Sequence, residues 1–184
     1  LLPSLALVRQ TYREWLRHYH QPDIRFLTVC SDFGINKGMD ELTFKACDSE
    51  FPVTTDAEEL RDRLQGAGKL VIFSTYHSAR VVGKACGNKF RFDLGIFDEA
   101  HKTAGKVDSR DAFALTDKNI RIDKRFFLTA TPRHVNIRKR DKEGEFEVAS
   151  MDDPEVYGTL AHRLPFSEAA KKGIICDYKI VASI

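Results

Sequence analysis

Four short, largely apolar runs set the limits of what this chain can fold into. They are Ile24 to Cys30 (IRFLTVC), Leu70 to Phe73 (LVIF), Leu94 to Phe97 (LGIF) and Arg125 to Thr129 (RFFLT). Each has strand length, and helical patterns separate them. Strands that read as apolar runs rather than as alternating patterns are buried on both faces, and strands alternating with helices give a mostly parallel sheet with flanking helices. Ligands of such sheets bind beyond the carboxyl ends of the strands. Chemistry is therefore sought in the segments just past the strand ends: Pro3-Ser4 after Leu1-Leu2, STYHS from Ser74, DEAH from Asp98 and TATP from Thr129.

The helices follow from spacing and caps. Ser4 opens one as N-cap, and Leu5, Val8, Tyr12, Trp15, Leu16 and Tyr19 recur at three and four, so Trp15 belongs to a core-facing stripe. Pro22 stops it. Residues 31 to 53 read as irregular. Thr54, Thr55 or Asp56 caps a helix through AEELRDRL, and Gly66 and Gly68 end it. Further helices are expected over Ala79 to Ala85, Arg110 to Leu115 and Ser167 to Lys172, the last closed by Gly173. A hairpin is expected over 137 to 150 and a final strand over Tyr178 to Ala182.

With 184 residues, 42% hydrophobic and 30% charged, the chain has the make-up of one globular domain with its own core. No apolar run approaches the ~18 residues of a membrane span. A net charge of +2 does not by itself argue for nucleic acid. Arg133, Arg138, Lys139, Arg140 and Lys142 cluster, which a solvated loop explains equally well. Cys30, Cys47, Cys86 and Cys176 form no CxxC or zinc-ligand pattern, so free thiols and a cytoplasmic setting are expected. The chain opens on Leu-Leu-Pro-Ser without Met or signal peptide, as if inside a longer protein.

Asp98 and Glu99 stand where Leu94 to Phe97 runs out. Side chains alternate along extended chain, so the two carboxylates can do different work. One can hold Mg²⁺, largely through water. The other can orient and deprotonate an attacking water. His101 can reach a neighbouring strand end. The plain alternative for a lone Asp-Glu pair is a helix N-terminus favoured by the dipole; the TATP run about 30 residues on weighs against it.

At these residues the chain resembles the superfamily 2 DEAD/DEAH-box helicases and translocases. FDEAHKTAG (97 to 105) looks like their Walker B motif and LTATP (128 to 132) like motif III. LPSLALVRQT (2 to 11) resembles motif Ia, and FSTYHS (73 to 78) the segment often called motif Ib. Tyr157-Gly158, RLPFSEA (163 to 169) and Gly173-Ile174 are similar to the end of the first motor domain in the type I and type III restriction branch. The resemblance implies that residues 1 to 184 form a partial RecA-like ATPase domain, spanning motifs Ia to III, that uses ATP and Mg²⁺ to move on nucleic acid, with DNA favoured over RNA. It implies Asp98 for Mg²⁺, Glu99 as catalytic base, and His101 as the link to Thr129 and Thr131, which couple hydrolysis to motion. It places Pro3, Ser4, Gln10, Thr75, Tyr76, His77 and Ser78 along the nucleic-acid track. Read without the family, Ser4 and Ser78 are helix caps, Tyr76 is a core residue and His77 a surface one.

One family element is missing. No G-x-x-x-x-G-K-[ST] loop occurs. Around Gly66-Ala67-Gly68-Lys69-Leu70, position 63 is Arg and position 70 is Leu, and the run precedes a strand instead of following one. The expectation is a domain lacking its phosphate-loop strand and its second RecA-like partner, hydrolysing ATP poorly alone. Two competing readings are a nucleic-acid-binding module without ATPase activity and a Mg²⁺-dependent nuclease; the second lacks the additional carboxylates and lysine such a site needs.

Overall fold

The computed structural model describes residues 1–19, 23–30, 53–106, 109–134 and 148–176. Helix α1 spans Leu5–His18, with the Ser4 hydroxyl accepting from the Leu7 amide at 3.4 Å. Strand β1 is Ile24–Val29, β2 is Val53–Thr54, and α2 is Ala57–Leu64. Asp56 caps α2, its carboxylate accepting from the Glu58 and Glu59 amides. Then come β3, Lys69–Ser74, α3, Ala79–Cys86, and β4, Phe92–Phe97.

Strands β2, β1 and β3 pair in that order, all parallel. Strand β4 pairs in parallel with β6, Ile122–Phe127. Leu1 and Leu2 lie between the two groups. The Leu2 amide donates to Ser74 O at 2.9 Å, and Leu2 O accepts from the Tyr76 amide at 3.1 Å. On the other side, the Leu1 nitrogen donates to Ile96 O at 2.6 Å, and Leu1 O accepts from the Asp98 amide at 3.0 Å. Two residues of extended chain thus align the carboxyl ends of β3 and β4.

The core forms on both faces of this sheet. Tyr12 and Trp15 of α1 set their rings edge-on to Phe26 and Phe73. On the opposite face Leu27, Val29 and Phe97 share a core with Leu60 of α2 and Val82 and Ala85 of α3. This is the expected three-layer α/β arrangement. One face of the β4–β6 pair is uncovered: Leu94 is 52% exposed and Phe126 47%, while Phe97, opposite Phe127 in register, is fully buried.

Three expectations need correction or lie elsewhere. No α-helix forms over Arg110 to Leu115; a turn leads into a 3-10 helix at Phe113–Leu115. The Ala112 amide binds both the carbonyl and the hydroxyl of Ser109, and Asn119 Nδ2 takes the Phe113 carbonyl at 2.8 Å. Local side-chain bonds of this kind displace the i→i+4 ladder. The hairpin over 137 to 150 lies mostly outside the described residues; its end, β7 (Val148–Ala149), pairs antiparallel with β5 (Gly105–Lys106). Residues 31 to 52 and the strand over Tyr178 to Ala182 are likewise outside them. A four-residue helix, α4, covers Pro154–Tyr157, and α5 covers Phe166–Lys171, with Gly173 at φ 67° after it. Cys30 and Cys86 are buried, Cys176 is exposed, and none of the three is in a disulfide. No helix among the described residues is long and apolar enough to cross a membrane.

Candidate nucleotide and nucleic-acid site

The carboxyl ends of β4 and β6 bring the predicted acids, histidine and threonines together. Beyond Phe97 the main chain turns sharply. The Ala100 amide donates to Leu128 O at 2.9 Å, on the neighbouring strand end, and a 3-10 turn follows at Ala100–Thr103. To make that turn, Glu99 adopts φ 50°, ψ 46°. It is the only non-glycine residue at positive φ among those described. That conformation costs an L-residue about 1–2 kcal/mol, and such strain gathers at functional sites.

The Asp98 carboxylate accepts from the Glu99 amide at 3.0 Å and stays half-buried at the strand end. The Glu99 carboxylate lies 3.3 Å from His101 Nδ1. The same nitrogen lies 3.0 Å from Thr129 Oγ1 and 3.3 Å from Thr131 Oγ1. Thr129 Oγ1 also accepts from the Thr131 amide at 3.2 Å. A neutral imidazole nitrogen either donates or accepts. With a proton on Nδ1, His101 donates towards Glu99 or a threonine hydroxyl oxygen; without it, Nδ1 accepts from a threonine hydroxyl. One imidazole nitrogen is thus shared between the acid after β4 and the hydroxyls after β6.

Two tyrosines that the motif reading did not place here brace the turn. Tyr76 is 2% exposed, its ring lies against Phe97, and its hydroxyl donates to Asp98 O at 2.6 Å. Tyr157, at the end of α4, meets Thr103 Oγ1 at 2.9 Å, and Thr103 Oγ1 donates to Ala100 O at 2.7 Å. The Tyr157 ring packs edge-on against Phe127, and burial raises its phenol above the ordinary range. Their signal in the sequence was faint. Each is an aromatic in a polar stretch, and its partner is remote.

The expected track residues divide. Pro3 is half-buried, Ser4 and Gln10 are exposed on or before α1, and His77 is exposed, 3.5 Å from the Asp111 carboxylate. The side chains of Thr75, Tyr76 and Ser78 are buried. Thr75 Oγ1 and Ser78 Oγ sit 2.8 Å apart and stabilise the turn between β3 and α3. Ser78 occupies the N-cap position of α3, but its hydroxyl turns to Thr75 instead of capping the helix.

Among the described residues, no cluster of three or more His, Cys, Asp or Glu side chains forms a metal cage. Mg²⁺ keeps most of its waters and takes one or two carboxylates plus substrate phosphates. The single strand-end carboxylate of Asp98 is a donor of that kind.

No family model matches the chain. A probable helicase of African swine fever virus (isolate Tick/South Africa/Pretoriuskop Pr4/1996) is 27% identical over 180 residues, covering 98% of this chain. The corresponding protein of isolate Tick/Malawi/Lil 20-1/1983 is 28% identical over 180 residues. The chain spans 18% of the length of each. Among solved structures, the ATP-dependent Type ISP restriction-modification enzyme LlaBIII bound to DNA superposes with a TM-score of 0.71 at 29% identity, covering 97% of this chain and 12% of that one. A nuclease-deletion mutant of the Type ISP enzyme LlaGI, in complex with a DNA substrate mimic, matches with the same score and identity over 97% of this chain and 14% of that one. The α/β sheet with its flanking helices matches the RecA-like helicase domains of these enzymes, and together the likenesses support a relationship to superfamily 2 helicases.

Proposed function

We propose that this chain is part of an ATP-driven motor that moves on DNA, and that its Glu99 activates the attacking water. The observation that carries this reading is the cluster of Glu99, His101, Thr129 and Thr131, drawn from two adjacent strand ends onto one imidazole nitrogen beside Asp98. A buried core needs no such convergence of half-exposed polar groups.

Asp98 would hold Mg²⁺ through water, and the bound ion would neutralise charge on the nucleotide's outer phosphates. Glu99, set by its left-handed backbone, orients the water and takes its proton. His101 senses whether Glu99 is engaged and passes that state to Thr129 and Thr131 on the next strand. Pro3, Ser4, Gln10, His77 and the main chain of 75–78 offer the track for the nucleic acid, in keeping with the DNA bound by the Type ISP enzymes. The 184 residues carry no phosphate loop. Turnover is therefore proposed to need phosphate contacts from elsewhere in a longer polypeptide and a second RecA-like domain. Each missing charge-assisted hydrogen bond removes about 1.5–3 kcal/mol of nucleotide binding.

The test uses that longer polypeptide and its Glu99→Gln variant. Both should bind a fluorescent ATP analogue with Mg²⁺ equally, while turnover falls by about 10²-fold or more, the share of a general base. The isolated 184-residue chain should show background turnover. Unchanged turnover in Glu99→Gln would remove Glu99 as the base; absence of nucleotide binding and turnover in the longer polypeptide would remove the motor reading and leave a nucleic-acid-binding module.

A further inference from the structure

We infer that Tyr76 is a positioning residue: its buried hydroxyl fixes the peptide between Asp98 and Glu99 and so ties the STYHS turn to the hydrolytic acid. The inference rests on the proposed role of Glu99.

The constraint acts on one peptide plane. The carbonyl of Asp98 and the amide of Glu99 belong to the same rigid unit. The amide end is held by the Asp98 carboxylate at 3.0 Å, and the carbonyl end by the Tyr76 hydroxyl at 2.6 Å. A plane held at both ends cannot rotate, and its rotation is what would carry Glu99 out of φ 50°. The Tyr76 hydroxyl is thus placed to keep a strained backbone in its strained form.

The same residue reaches the other site through its main chain. The Tyr76 amide donates to Leu2 O, and the Asp98 amide to Leu1 O. Leu2 leads directly into Pro3 and Ser4, and Tyr76 into His77. Both segments proposed to face nucleic acid therefore converge, through hydrogen bonds, on the main chain of Asp98. A shift of the STYHS turn or of Pro3-Ser4 is transmitted to the Glu99 peptide without the Tyr76 side chain touching the nucleic acid.

Tyr76→Phe removes the hydroxyl and keeps the ring against Phe97. In the longer polypeptide, DNA-stimulated ATP turnover should fall about tenfold, the effect of one hydrogen bond to a positioning group. KM for ATP, DNA affinity and melting temperature should stay within about twofold or a degree or two of wild type. Amide exchange in a peptide covering 97–101 should speed up, because the released plane opens more often. Turnover equal to wild type, with exchange unchanged, would overturn the inference. So would a loss of turnover matched by weaker DNA binding, which would make Tyr76 a direct contact, or by a lower melting temperature, which would make it a core residue only. If wild-type protein itself does not hydrolyse ATP, the motor reading fails, and the exchange comparison still decides whether Tyr76 holds the Glu99 peptide.

Discussion

His101 Nδ1 stands 3.0 Å from Thr129 Oγ1, although 28 positions separate the two residues in sequence. The contact exists because β4 and β6 are parallel neighbours in register, with Phe97 opposite Phe127. The segments leaving the two strands therefore emerge side by side. Glu99 competes for the same nitrogen from 3.3 Å, so the pair behaves as one unit, not as two independent groups.

A double-mutant cycle tests that unity. In the longer polypeptide, His101→Ala and Thr129→Val should each lower DNA-stimulated turnover by about tenfold, as loss of one polar link does. The double variant should be no worse than the poorer single one, because residues in one network are non-additive. Full multiplicativity would show that the 3.0 Å contact carries no coupling.

Much of the architecture was open to a reading of the chain because its causes are local. Ser4 and Asp56 accept from amides two or three residues on, and the apolar runs became strands within a few residues of their expected ends. The helix expected at Arg110 failed because Ser109 and Asn119 took its backbone partners, a contest that propensity does not decide. Tyr76 and Tyr157 were harder. Whether a phenol reaches a carbonyl 22 residues away or a hydroxyl 54 residues away depends on strand register and on how α4 packs, and neither is written in the flanking sequence.

The left-handed backbone of Glu99 predicts a trade between stability and activity. Glycine adopts φ 50° without the clash of a Cβ, relieving about 1–2 kcal/mol. Its larger entropy in the unfolded chain offsets about 0.5–1 kcal/mol of that. Glu99→Gly should thus raise the melting temperature of the 184-residue chain by about 2 °C in a calorimetric scan, while the longer polypeptide loses turnover. A lower melting temperature would mean that the half-exposed Glu99–His101 contact outweighs the strain.

Burial separates two of the cysteines by reactivity. The thiol of Cys86, the last residue of α3, is pushed up to about 12 by burial, and the thiolate is the reactive form. At pH 8 it stays protonated, so iodoacetamide should modify exposed Cys176 and leave Cys86 untouched until denaturant opens the fold. Raising the pH towards 10 should not change that order, since the shift is upward and the window for Cys86 lies near 12. Peptide mass mapping reads the result directly. Early alkylation of Cys86 in native protein would mean that α3 opens locally.

Gly83 sets two effects of similar size against each other. It lies inside α3, where glycine costs about 1 kcal/mol against alanine, so helix propensity alone predicts that Gly83→Ala stabilises. The packing says otherwise. A Cβ there would sit 2.9 Å from Asn119 O, a backbone atom, and 3.0 Å from Phe113 Cε1. Neither neighbour yields easily. Phe113 belongs to the 3-10 helix and carries Arg80 over its ring, and its carbonyl is bound by Asn119 Nδ2. Overpacking of this kind costs about 1–3 kcal/mol, partly cancelled by the propensity gain. The clash should win, lowering the melting temperature by about 2–4 °C. Lys84→Ala, one position on and exposed, serves as the control and should stay within about 0.5 kcal/mol. A Gly83→Ala variant as stable as wild type would mean that α3 and the Phe113–Asn119 segment do not approach as closely as 2.9 Å in solution, and that the alanine gain is realised in full.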